Sequence, residues 1–334
     1  MVSIIGIYYY YKWIEENKSI YYIISLISVS LAVLIKLPVL YLGIPLTFLS
    51  YFKYGFGFLK NLKILFFAII VIIFSFLWYY HAHNLYLMTG LTFNIWNYGS
   101  DKWGTYFLLI NPEFYNSVFL KSIVERQLTF AGFIMFLIGL FLKRNKKIEF
   151  LFDWWLIAII FFILFVSQGN LAQEYYQLPI VVPASVFIGK FLNKCLDFSV
   201  FKKSFSFKQK FISSGSAFLF IVLILLSVLR IENLLSKETK SKELTELTET
   251  VEKNSNNSDK IISLTQGNPV LFYNVNRKGW LLDKSEIEKI DSLKNNNAKL
   301  IIGDKKSAGD PALLTKGKYE IILNNNDFFC IKLN

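Results

Sequence analysis

Apolar residues in the first two thirds of this chain form long blocks separated by short charged stretches, unlike the short alternations of a half-buried sheet. A helix needs about 17–25 mostly apolar residues to cross a hydrocarbon core of about 30 Å. Three blocks meet that requirement: 64–80 (ILFFAIIVIIFSFLWYY), 151–168 (LFDWWLIAIIFFILFVSQ) and 211–230 (FISSGSAFLFIVLILLSVLR). Four more, at 19–36, 37–52, 127–142 and 178–194, are shorter or interrupted by Pro or Gly and are predicted as further spans. The pattern thus predicts a polytopic α-helical membrane protein with about seven transmembrane helices in residues 1–230. The first apolar stretch, Ile4 to Trp13, would rise only about 15 Å as a helix. It lacks the basic start, long apolar centre and small-residue cleavage site of a signal peptide. The chain is therefore expected to begin inside a helix and to be N-terminally incomplete.

After Arg230 the pattern changes to that of a small extracytoplasmic α/β domain, residues 231–334. Leu244, Leu247 and Val251 recur at helical spacing within 237–253. PVLFYNV (269–275), a helical stretch from Lys284 to Leu293, AKLIIGD (298–304), KYEIILN (318–324) and FFCIKL (328–333) follow, bounded by Asn, Gly and Asp clusters. Asn324 to Asp327 reads as a hairpin turn and Asn254 to Asp259 as a linker.

Composition removes the soluble alternative. Of 334 residues 54% are hydrophobic and 18% charged, with a mean hydropathy of +0.42. The net charge of +12 would suit nucleic acid, but the Lys and Arg sit mostly in short loops between apolar blocks, where they set topology, so no nucleic-acid partner is expected. Lys53, Lys60 and Lys63, then Lys143, Arg144, Lys146 and Lys147, then Lys190, Lys194, Lys202, Lys203, Lys208 and Lys210 fall on one side. The other side, 81–126 and 169–177, carries only Lys102, Lys121 and Arg126. The positive-inside rule makes the first side cytoplasmic and predicts a multi-pass protein of the cytoplasmic (plasma) membrane, with everything after Arg230 outside. Cys195 and Cys330 then lie on opposite sides and cannot pair; Cys330 is expected to be labelled from outside and Cys195 not.

Soluble-enzyme motifs are absent: there is no Walker-type loop, HExxH, GxSxG or CxxC, and the GxG at Gly55 and Gly57 lies in a Phe-rich loop. No cofactor is expected. The candidates for chemistry are polar residues at the external ends of spans. Glu174, Tyr175, Tyr176 and Gln177 share a very short external loop, where an acid and two phenols could position a hydroxyl or a sugar; an interfacial aromatic belt is the plainer account. His81 and His83 could clip a metal only on an extended segment, because alternate residues are about 200° apart on a helix. No further ligands are visible, so no metal is expected, and hydrogen bonding to a sugar or phosphate is the preferred role. Lys36, next to Pro38, is the basic residue deepest in an apolar run, and can snorkel to the headgroups or, with Arg126, neutralise a lipid phosphate. Asp101, Lys102, Trp103 and Glu113 could line a sugar site, while Asp153 beside Trp154 and Trp155 reads as a solvated or snorkelled acid near the cytoplasmic end of its span.

The segment GNLAQEYYQLPIVVPASVFIGKFL, residues 169–192, resembles the HEYYQLP segment of bacterial family 39 glycosyltransferases, the GT-C-fold membrane enzymes related to dolichyl-phosphate-mannose protein mannosyltransferases. WYYHAHNLY (78–86) and LFYNVNRKGW (271–280) are similar to two further segments of those proteins. The resemblance implies transfer of a sugar from a polyprenyl-phosphate donor to a glycan, lipid or protein acceptor on the external face. It also implies an acidic base in an N-terminal external loop that has no counterpart here, which marks this chain as the C-terminal portion of such an enzyme and puts transfer by this chain alone in question. Gln173 stands where relatives often have His, and Gln carries no proton at neutral pH. Two other readings stay open: a non-catalytic transporter or flippase for lipid-linked sugars, and a membrane-anchored binding module acting through residues 231–334. Paired broken helices, the mark of many transporters, are weak in the sequence.

Overall fold

Within a bilayer each backbone N–H and C=O must find its partner inside its own segment, so long apolar blocks resolve as helices. A computed structural model describes residues 1–89, 103–196, 206–235, 241–265, 268–315 and 317–333. The chain divides into two compact units; the first holds most of the apolar helices, and the second comprises residues 235 onward together with residues that follow Tyr79.

The first unit opens with a helical pair, α1 (Val2–Glu16) and α2 (Ser19–Ile35). Gly6 lets them close up, since a Cβ there would stand 2.7 Å from Val29, and the Ser25 hydroxyl donates to the Gly6 carbonyl at 2.8 Å. Then come α3 (Gly43–Tyr54), α4 (Leu62–Thr89), α5 (Thr129–Phe141), α6 (Phe150–Phe165), α7 (Val181–Cys195) and α8 (Phe207–Leu235). Among the described residues, five stretches are long and apolar enough to cross a membrane: Leu62–Met88, Pro112–Phe141, Lys147–Phe165, Glu174–Cys195 and Phe207–Ile231. That is the build of a polytopic membrane protein. The spans expected at 19–36 and 37–52 differ. The former is an apolar helix of 17 residues; the latter is a six-residue 3-10 turn, Leu37–Leu42, followed by the 12 residues of α3. Pro38 supplies no backbone donor and so ends the preceding helix.

The span expected at 127–142 begins much earlier, at Pro112, and is not continuous. Asn116–Leu128 is wound as a π-helix, and at Thr129 the backbone breaks with φ 60° and ψ 159° before α5 resumes. A β-branched residue in that region costs about 1–3 kcal/mol and persists only where its surroundings hold it. Here the Thr129 hydroxyl accepts from the Gly132 N–H at 3.3 Å. One continuous apolar core joins the helices through Tyr10, Trp13, Val33, Leu49, Phe67, Phe136, Trp155, Ile159 and Phe187. At the end bearing the Lys- and Arg-rich loops, Arg144 forks onto both oxygens of Asp153, at 2.9 and 2.5 Å, and Lys190 pairs with Glu149. Asp153 is thus an ion-pair partner and not the solvated or snorkelled acid expected.

The second unit is a doubly wound sheet. After α9 (Lys242–Asn254) run β1 (Lys260–Leu264), α10 (Val270–Val275), β2 (Lys278–Leu282), α11 (Ile290–Asn295), β3 (Ala298–Asp304), β4 (Glu320–Asn324) and β5 (Phe328–Lys332). The strand order is β2-β1-β3-β5-β4; the first three are parallel, and β4 and β5 form the expected hairpin beyond them. Alternation splits the core between the two faces. Ile262, Leu264, Ile301, Phe329 and Ile331 pack with Ile290 on one side, while Ile261, Leu300, Ile302 and Cys330 pack with Leu247, Val251 and Leu271 on the other. PVLFYNV supplies a helix, with the first two strands coming from KIISL and KGWLL; and the stretch 254–259, expected as a linker, is a fixed turn, pinned by Arg277 donating to the Ser255 hydroxyl at 3.0 Å and to Asn257 Oδ1 at 2.9 Å.

Candidate functional site

The QEYYQLP stretch does not form a loose loop. It is a 3-10 turn, Glu174–Ile180, running straight into α7, because Pro179 has no N–H to donate to an α-helical ladder. The short helix Ser167–Ala172 precedes it. Gln177 anchors the turn from within: fully buried, it accepts from the Ser122 hydroxyl at 2.8 Å and donates to the carbonyl of Asn170 at 2.7 Å and to its Oδ1 at 3.0 Å. Ser122 and Asn170 are themselves buried, so every bond in this network is made away from solvent. The Glu174 carbonyl also accepts from Ser122, at 3.4 Å, and from Gln127, at 3.5 Å.

With the turn held this way, Glu174 pairs with Arg126, the residue in the last turn of the π-helix just before the break at Thr129. Arg230 of α8 reaches the same stretch, donating to the Glu125 carbonyl at 3.1 Å. Tyr175 and Tyr176 meet edge to face with centroids 5.1 Å apart, and Tyr176 leans on Phe162. Lys36, whose extended backbone closes α2, sets its ammonium 3.2 Å from the Tyr176 ring centre and 4.2 Å from that of Tyr175. Among the described residues no carboxylate pairs with Lys36, so its charge is met by two ring faces alone, an interaction of about 0.5–2 kcal/mol. Tyr79 of α4 adds a third phenol beside Tyr176 and the Leu37 backbone.

Lys36, Arg126, Glu174, Tyr175, Tyr176 and Gln177 therefore gather at one end of the first unit, opposite the Lys- and Arg-rich loops. Gln177 is a buried anchor and not a surface contact. His81 and His83 group with the second unit instead. Both lie within α4, so the extended geometry that a two-histidine clip requires is absent, and His83 stacks on Tyr86 with centroids 6.5 Å apart. Asp101 and Lys102 lie outside the described residues. Among the described residues, no three His, Cys, Asp or Glu side chains come together as a metal site. Ser122, Asn170, Tyr79 and Arg230 were not singled out by sequence; a lone Ser in an apolar run carries no signal that it joins a network 55 residues away, and a lone Asn none that it closes that network seven residues on.

Comparison of the chain with protein-family models and with curated proteins finds no match. The glycosyltransferase resemblance therefore rests on its three short segments. Of these, QEYYQLP builds the cluster around Lys36, and LFYNVNRKGW supplies α10, the buried Arg277 clamp and the start of β2.

Proposed function

We propose that this chain is a membrane glycosyltransferase of the GT-C type, acting on a polyprenyl-phosphate-linked sugar at the external face of the cytoplasmic membrane, with the second unit extracytoplasmic. The observation that carries the reading is the pair of cations at the lysine-poor end of the helices: Lys36, held by aromatic faces without a carboxylate, and Arg126, held by Glu174. A lipid phosphate sits at headgroup depth, and a cation on a helix end reaches that depth. Transfer breaks the bond between the sugar anomeric carbon and a phosphate oxygen while the acceptor hydroxyl oxygen bonds to that carbon. Negative charge grows on the departing phosphate, where a fixed ammonium and guanidinium stabilise it. Glu174 and the two phenols supply acceptor and donor groups for sugar hydroxyls, and Gln177 holds the turn that carries them. The acceptor's proton goes to a general base, which the family resemblance places in an acidic external loop; no residue named here takes that role.

A second reading, a flippase for lipid-linked sugars, draws support from the break at Thr129, because transporter sites are built on interrupted helices. Proteoliposomes loaded with a polyprenyl-phosphate sugar, labelled in the sugar, separate the two. With the acidic external loop that the resemblance implies supplied by a complementing chain, transfer of label to a co-supplied acceptor, reduced by Glu174→Ala, is the expected result. Movement of intact labelled lipid between leaflets without transfer would establish the second reading instead.

A further inference from the structure

The second unit carries a crevice that the membrane chemistry does not use. The connection out of β1 leads to β2 on one side, and the connection out of β2 returns across β1 to β3 on the other. The winding thus reverses between β1 and β3, and at such a reversal the two connections part company and leave an opening beyond the carboxyl ends of the strands. A cavity of about 270 Å³ lies at that place, bordered by Thr265 just past β1 and by Asp304 at the end of β3. Its walls are fixed. Asp304 Oδ1 accepts from the Ser307 N–H at 2.7 Å, the Asp327 carbonyl accepts from the Lys305 N–H at 2.8 Å, and the Thr265 hydroxyl donates to the Asn268 carbonyl at 2.6 Å.

The lining specifies a class of ligand. Asp304 and Asp327 only accept hydrogen bonds when ionised, Lys306 only donates, and Asn268 and Asn274 do both, while Phe328 and Leu271 give an apolar wall. Two carboxylates against one ammonium leave the crevice with a net negative charge, which disfavours phosphates, nucleotides and acidic peptides. A sugar ring matches: each hydroxyl donates to one neighbour and accepts from another, and the ring presents a C–H face to an aromatic wall. The volume lies just below the roughly 300–1,000 Å³ of drug-sized sites, which suits one ring and not a long glycan.

We infer that this crevice is a binding site for a single neutral or amino-bearing sugar ring. Its use as the acceptor-recognition site rests on the transferase reading; sugar binding itself does not. The test is binding of the detergent-solubilised full chain to an array of immobilised neutral, amino and acidic saccharides. The expected result is saturable binding to neutral or amino sugars, weakened at least tenfold by Asp304→Asn, which can still cap the following turn, and by the exposed Lys306→Met. Unchanged melting of both variants shows that they fold. Absence of binding across the array, selective binding of acidic sugars, or binding indifferent to both substitutions would overturn the inference. If sugar binding holds while transfer fails, only the transferase reading falls; if transfer holds and the array is blank, only the crevice falls.

Discussion

Replacing Gln177 with Leu tests whether the buried network holds the QEYYQLP turn in place. The substitution removes three hydrogen bonds among buried residues, one from the Ser122 hydroxyl and two to Asn170, at its backbone carbonyl and its Oδ1. The Ser122 hydroxyl retains a fallback on the Glu174 carbonyl at 3.4 Å, and the Asn170 side-chain amide still donates to Val166 at 2.9 Å, but the two Asn170 oxygens lose this donor. Hydrogen bonds between membrane helices average about 0.6 kcal/mol each, so three lost bonds amount to about 2 kcal/mol, or roughly thirtyfold in the unfolding equilibrium. A double-mutant cycle of Gln177→Leu with Ser122→Ala isolates one of the three bonds and should return a coupling of about 0.6 kcal/mol. The assay is reversible denaturation in mixed micelles, followed by tryptophan fluorescence. A Gln177→Leu protein that denatures at the wild-type midpoint, with no coupling to Ser122, would refute the network as the anchor of the turn.

Three further outcomes are expected. Gly139→Ala should destabilise the protein by about 1–3 kcal/mol in the same assay, because the new methyl would collide with the Phe187 backbone carbonyl where α5 meets α7. In the second unit, the Lys318 ammonium and the Tyr319 hydroxyl hold the Asp291 carboxyl below its ordinary value. The folded pKa is depressed, so the stabilisation is present in full above about pH 4 and is lost as pH falls through the lowered value; Asp291→Asn should flatten that part of an acid-unfolding curve. Cys330, fully buried in β5 with its thiol pushed up to about 12 by burial, should resist maleimide until the protein is denatured, whereas partly exposed Cys195 should react first. Burial therefore blocks the labelling of Cys330 from outside that its predicted extracytoplasmic position alone would allow.

The spans at 64–80 and 151–168 were legible because uninterrupted apolar residues leave helix as the only way to pair the backbone in lipid. The stretch 112–128 was not, since Lys121, Glu125 and Arg126 make it look like loop; its polar groups are matched by Gln177, Glu174 and Arg230 from distant segments. Local pattern also misassigned 269–275, where β-favouring Val, Phe and Tyr face a core between α9 and the sheet and so adopt helical spacing. KIISL and KGWLL escaped notice because Lys at one end and Gly within hid two buried parallel strands. Of the candidates named for their chemistry, Lys36, Arg126, Glu174, Tyr175, Tyr176 and Gln177 meet in space, and His81 and His83 do not join them. That Lys36 reaches Tyr176, some 140 positions onward, is a property of helix packing that no local pattern carries.

On the transferase reading, Lys36 and its aromatic seat receive a lipid phosphate. The direct measurement compares binding of a polyprenyl phosphate and the corresponding polyprenol to the full chain in nanodiscs, for wild type and Lys36→Met. The wild type should prefer the phosphate by at least tenfold, and the substitution should abolish most of that preference while leaving polyprenol binding unchanged. Equal preference for the phosphate in the two proteins would contradict it.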